Sequence, residues 1–166
     1  MHPFEQYIRN VPDFPKAGVM FKDISPLLTD HFDEVTQAMG QGINWDEVDA
    51  VIGIESRGFF LGAAMAQLHG KGFIPMRKKG KLPPPVIGES YDLEYGTDTL
   101  ELIVNERPLR VVLVDDVLAT GGTLRAALKL CAGNNYQVKA ISILINLTFL
   151  NKLKEEGQPL HSVLNY

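Results

Sequence analysis

The apolar positions of this chain follow two alternating rhythms. "DAVIGI" (49–54) and "RVVLV" (110–114) are short, mostly β-branched runs without polar alternation, the pattern of strands covered on both faces. "YQVKAISILINL" (136–147) is a third such run, alternating only at its start. After the first two the spacing turns helical. Leu61, Ala64, Met65 and Leu68 fall at i, i+3, i+4 and i+7 before a stop at Gly70, and Leu124, Ala127, Leu128 and Cys131 repeat the interval before Gly133 and Asn134. Strand, turn, helix, strand predicts βαβ units and an α/β fold with a mainly parallel sheet flanked by helices. In such sheets ligands gather beyond the carboxyl ends of the strands, which directs attention to "ESRG" (55–58) and "DDVLATGGT" (115–123).

Two stretches break the rhythm. Residues 11–30, "VPDFPKAGVMFKDISPLLTD", carry three prolines and scattered aromatics and read as an extended hood formed by the N-terminal 30 residues. Residues 77–97, "RKKGKLPPPVIGESYDLEYGT", open with four cations in five positions and pass through three consecutive prolines. A segment this long and polar reads as a lid, a binding loop or a disordered insert. No repeat or linker divides the 166 residues, so a single domain is expected.

Composition narrows the function classes. Sixteen basic against twenty acidic side chains give a net charge of −4, which argues against nucleic-acid or membrane-surface binding. Cys131 is the only cysteine, so no disulfide or multi-thiolate metal site is available, and a cytoplasmic protein is expected. His2, His31, His69 and His161 are scattered without an i, i+4 pair, and no dedicated metal site is expected.

The candidate chemistry starts at "TGGT". Thr120, Gly121, Gly122 and Thr123 sit where a strand gives way to a helix, so free backbone N–H groups and the positive end of the helix dipole would face an anion. The lysine of a Walker loop is missing, and a plain glycine turn with a threonine cap fits these four residues as well. Asp115 and Asp116 shift the balance. A phosphorylated sugar beside the cradle would present hydroxyl donors, which ionised carboxylates accept, and the same acids would stabilise positive charge developing on a sugar ring. The cations Arg77, Lys78, Lys79 and Lys81 read as a solvated run or as a neutraliser of an anionic ligand.

"VVLVDDVLATGGT" resembles the phosphoribosyl pyrophosphate (PRPP) signature of the type I phosphoribosyltransferases, and "FPKAGVMFKDISPLL", "IGIESRGF", "RKKGKLP" and "SYDLEYG" follow in the order of its adenine-using branch. The resemblance spans residues 11–150. It implies the type I phosphoribosyltransferase fold with a hood and a flexible lid, and transfer of phosphoribosyl from PRPP to adenine, giving AMP and pyrophosphate. It implies that Ala119, Thr120, Gly121, Gly122 and Thr123 hold the 5′-phosphate and that Asp115 and Asp116 hold the ribose hydroxyls. Glu55, Ser56 and Arg57, with a cis bond between the first two, would form the pyrophosphate loop, assisted by Arg77, Lys78 and Lys81. Met20, Phe21 and Lys22 would read adenine with Arg57, Phe21 by stacking and its neighbours through their backbone. Val19 and Phe21 would serve equally as core packing residues. Glu94 would act as an acid near N7 of the base, and Tyr95 would help close the lid. Mg2+ on the substrate phosphates and a homodimer are implied too. Lys22 where arginine is common, and Pro84 where glycine is common, depart from the pattern.

Overall fold

Two hydrophobic cores, one on each face of a single sheet, organise the chain. The computed structural model describes residues 2–93, 96–154 and 156–166. A ribbon of β1 (Arg9–Pro12) and β2 (Met20–Asp23) leads into α1 (Ser25–Gly40), followed by β3 (Ala50–Ile54), α2 (Arg57–Leu68) and β4 (Gly72–Lys78). A hairpin of β5 (Val86–Asp92) and β6 (Thr97–Ile103) precedes β7 (Leu109–Leu118), α3 (Gly122–Gly133), β8 (Tyr136–Asn146) and β9 (Leu160–Asn165). The main sheet has the order β5-β6-β4-β3-β7-β8-β9, parallel from β4 to β9 and antiparallel at the β5–β6 end.

Alternation along the central strands explains the two cores. Ile52, Ile54, Val111 and Leu113 face α3, with Leu124, Ala127 and Cys131 from that helix. Val51, Val112 and Val114 face the other way and meet Val35 and Met39 of α1 and Leu61 and Met65 of α2. Both faces being covered is why β3 and β7 read as unbroken apolar runs. Leu68, predicted on the buried stripe of α2, is instead 45% exposed. The buried stripe runs through Gly58, Leu61, Gly62, Met65 and Ala66.

The segment 77–97 holds more regular structure than its composition suggests. Every β5 residue has a partner on β6, from Val86 opposite Ile103 to Asp92 opposite Thr97. Ile87 and Tyr91, two strand periods apart, pack on the α3-side core. Their period of two is masked in the sequence by the prolines before it and the polar residues between. Part of the hood is regular too, since its last residues open α1.

The start of β7 is pinned to the start of β3. Asp49 takes a forked pair of bonds from Arg110, at 2.8 and 3.1 Å, and also accepts the Arg110 backbone N–H at 2.8 Å. These bonds hold the Asp49 carboxyl well below the usual carboxylate range. An acid with a depressed folded-state pKa stabilises the fold above its unfolded pKa and loses that contribution as pH falls through the folded value. Asp49→Asn is therefore expected to lower the thermal midpoint at pH 7, with the gap to the native protein closing in strong acid. Melting curves from pH 7 to pH 2 check this; a gap that stays constant would remove the pair from the account.

Candidate active site

The strand order reverses between β3 and β7. β3 leads through α2 to β4 on one side, and β7 leads through α3 to β8 on the other, which makes the crevice beyond them the switch point of the sheet. The pairing of β7 with β3 ends at Val114, while its pairing with β8 continues to Leu118. Asp115 and Asp116 therefore lie where β7 has lost one neighbour, within the strand and not past its end.

Arg57, the first residue of α2, ion-pairs through Nε with Asp116, which is buried. The Asp116 backbone N–H donates to Asp115 Oδ1 at 2.9 Å. Desolvation, then the charge of Asp116, push the Asp115 carboxyl well above its usual range. Two adjacent acids, one of them paired with a guanidinium, form an electrostatically primed site. Gly58 lets α2 approach this closely, because a Cβ there would lie 2.6 Å from the Val114 carbonyl oxygen and 3.3 Å from Asp115 Oδ1. The Glu55–Ser56 peptide bond just before it is cis.

The next turn is shaped as an anion cradle. Gly121 has φ +89° and serves as the N-cap of α3, so Gly122 and Thr123 open the helix with N–H groups that have no intrahelical acceptor. A Cβ on Gly122 would stand 3.2 Å from the Asp92 carbonyl oxygen, so the end of β5 lies against the loop. The same Cβ would stand 3.7 Å from the Tyr91 ring of that strand.

The ribbon forms a third region. Phe21 pairs across it with Val11 and meets Phe14 edge-on at 5.1 Å between ring centroids. These three residues, with Ile24, Leu28, Phe60 and Arg57, line part of a cavity of about 570 Å³, a size suited to a small planar ligand. The Arg57 guanidinium lies 5.3 Å from the Phe21 ring centroid. The ribbon is anchored by Asp23, which accepts from Arg9 at 2.7 Å and from the Ser25 hydroxyl at 2.6 Å. Lys22 points to Asn10 Oδ1 at 2.8 Å and sits over the Tyr166 ring at 4.2 Å. Met20 is exposed.

The basic run does not converge as free charge. Arg77 pairs with Glu55 at 3.3 Å, and Glu55 also accepts the Lys78 backbone N–H at 2.9 Å. Burial raises the Glu55 pKa, but these bonds outweigh it and hold the carboxyl below its usual range. Lys78 forms an ion pair with Asp98, which raises the lysine pKa, and Tyr91 Oη donates to the same carboxylate at 3.4 Å. Lys79 and Gly80 are the central residues of a tight turn closed by Lys81 N–H to Lys78 C=O at 3.3 Å, with Gly80 at φ +79°. Asp98 lies outside the quoted motifs, and it is the β5–β6 pairing, with Tyr91 opposite Asp98, that sets it beside Lys78. Glu94 and Tyr95 lie outside the described residues.

The acids, the free N–H groups of the turn and the aromatic cavity lie about the switch point, where open α/β sheets bind their ligands. Residues 26–164 match the family model of the phosphoribosyl transferase domain, and the chain belongs to that family. It is 50% identical over 161 residues to the adenine phosphoribosyltransferase of Bdellovibrio bacteriovorus, covering 96% of both chains. It superposes on the crystal structure of adenine phosphoribosyltransferase from Rhodothermus marinus with a TM-score of 0.90 at 42% identity, covering 98% of this chain and 96% of that one. The Giardia lamblia enzyme complexed with 9-deazaadenine matches at a TM-score of 0.84 and 36% identity, covering 98% and 96%. Within the family, the chain belongs with the adenine phosphoribosyltransferases.

Proposed function

We propose that this protein transfers phosphoribosyl from PRPP to adenine. N9 of adenine forms a bond to the anomeric carbon as the bond to pyrophosphate breaks, and the imidazole-ring N–H proton of adenine is released, giving AMP and pyrophosphate. The observation that carries this reading is Arg57, which bonds to Asp116 at one face of the crevice and lies over Phe21 at the other. A base on Phe21 and a ribose on the two acids would then be neighbours. The 5′-phosphate falls to residues 119–123 and the ribose hydroxyls to Asp115 and Asp116, whose charge favours the oxocarbenium-like transition state.

Ser56 and Arg57 face the leaving pyrophosphate, joined by Lys81 and by Arg77 and Lys78 once these exchange Glu55 and Asp98 for phosphate oxygens. Glu94 serves as the acid at N7, and the segment 77–97 with Tyr95 closes over the ligands to exclude water. Mg2+ is the cofactor. The ion would be held mainly by the phosphates of PRPP. The ion lowers the charge on the leaving group. A cytoplasmic homodimer completes the reading. No described helix is long and apolar enough to cross a membrane.

Pyrophosphate release with PRPP, Mg2+ and each of adenine, hypoxanthine, guanine and xanthine tests the assignment. Adenine is expected to exceed each 6-oxo purine in kcat/KM by about 10³-fold or more, because a site built to pair with the exocyclic amine leaves buried groups unpaired on the wrong base. Faster turnover of hypoxanthine would reassign the base, and PRPP binding without turnover on any base would indicate a non-catalytic sensor.

A further inference from the structure

The carbonyl of Ala119 and the N–H of Thr120 belong to one peptide group, and a planar trans peptide points them in opposite directions. That bond is trans, since the cis bonds of the described chain are Phe14–Pro15, Glu55–Ser56 and Pro84–Pro85. The Ala119 carbonyl is held from behind by the Asn151 side-chain amide at 2.9 Å. The following carbonyl, Thr120, accepts from Arg125 at 3.2 Å, and Arg125 is itself held by Glu156 at 2.6 Å. Two successive carbonyls are thus taken up, Ala119 by the part-buried Asn151 and Thr120 by the exposed Arg125 side chain, which turns the Thr120 and Gly121 N–H groups the other way.

Asn151 is fixed for this task. Its nitrogen, with two hydrogens for three acceptors, also lies 3.0 Å from the Leu147 carbonyl and 3.0 Å from Oδ1 of the buried Asn146, so one hydrogen is shared, and its own oxygen accepts the Leu153 N–H at 3.4 Å. Backbone carbonyls only accept, so the amide must present nitrogen, not oxygen, to this cluster.

We propose that Asn151 is a positioning residue for the 5′-phosphate. By holding the Ala119 carbonyl it keeps the Thr120 N–H aimed into the cradle, without touching substrate. The inference rests on reading residues 119–123 as the 5′-phosphate site.

The test uses the full chain and the near-isosteric Asn151→Asp, which sets an oxygen against three acceptors. AMP carries the 5′-phosphate and adenosine lacks it, so the Kd of each is measured by calorimetry for both proteins. AMP binding is expected to weaken about tenfold or more while adenosine binding stays within about twofold. In turnover, KM for PRPP rises and KM for adenine holds. On lowering the pH, protonation of the introduced carboxyl restores a donor, so AMP affinity relative to the native protein at the same pH recovers, which a purely structural defect would not do. Should Asn151→Asp fail to fold, Asn151→Ser is read for the same split.

Equal losses for AMP and adenosine, or no loss for AMP, overturn the positioning role. If the native protein binds AMP no more tightly than adenosine, the phosphate reading falls and takes this inference with it. That comparison needs no variant, so the two failures are told apart.

Discussion

Replacing Asp115 and Asp116 together by asparagine is expected to lower kcat/KM for adenine and PRPP by about 10³-fold or more, the scale seen when preorganised transition-state electrostatics are removed. Asparagine keeps the shape of each side chain and an acceptor for a ribose hydroxyl, so the loss falls on the charge that a cationic sugar ring would feel. Affinity for AMP, gripped at its phosphate and its base, should fall far less. Steady-state kinetics beside AMP calorimetry check the split, and parallel losses in the two would make the acids ordinary binding groups.

Asp115→Asn alone adds a stability readout with a definite sign. The Asp115 pKa is raised in the fold, by desolvation first and by Asp116 second. A raised carboxyl binds its proton more tightly folded than unfolded, so native stability declines as pH rises above the unfolded value of about 4. The variant lacks this penalty. It should melt above the native protein at pH 7, with the difference vanishing in acid, while turning over more slowly. A gain in stability with a loss of function marks a group kept for its chemistry.

The second large effect is expected at Gly58, through geometry alone. Gly58→Ala would place a methyl group 2.6 Å from the Val114 carbonyl oxygen, which is backbone and cannot rotate aside. The start of α2 must move off β7 and carry Arg57 away from Asp116. Overpacking of this kind costs about 1–3 kcal/mol of stability. The displacement of a substrate-positioning group by about 1 Å costs about 10²-fold in rate. Denaturant unfolding and kcat/KM on the same preparation check both figures. Native-like activity would mean that the approach of α2 to β7 is not what aligns the site.

Much of this was legible from local pattern. The unbroken apolar runs of β3, β7 and β8 announce strands buried on both faces, because covering both faces removes the polar alternation. "TGGT" after such a strand, and two acids before it, single out a candidate ligand turn by residue type and spacing, while the switch point it occupies follows only from the strand order. β5 was harder to see. Its outward positions after Val86 are Gly88, Ser90 and Asp92, and its inward ones include Glu89 as well as Ile87 and Tyr91, so composition resembles a loop until β6 supplies every partner.

What the chain determines by itself is the class of each element and the chemistry placed on its turns, since hydrophobic period, glycine and carboxylate are local properties. Tertiary structure decided which charges meet. Arg57 finds Asp116 across 59 positions, Lys78 finds Asp98 across 20, and Asn151 finds Ala119 across 32. Each pairing follows from strand order and from how closely α2, the β5–β6 hairpin and the segment after β8 approach the end of β7. An isolated charge or amide carries no record of its partner, because its bond is formed by the packing of surfaces brought together from distant parts of the chain.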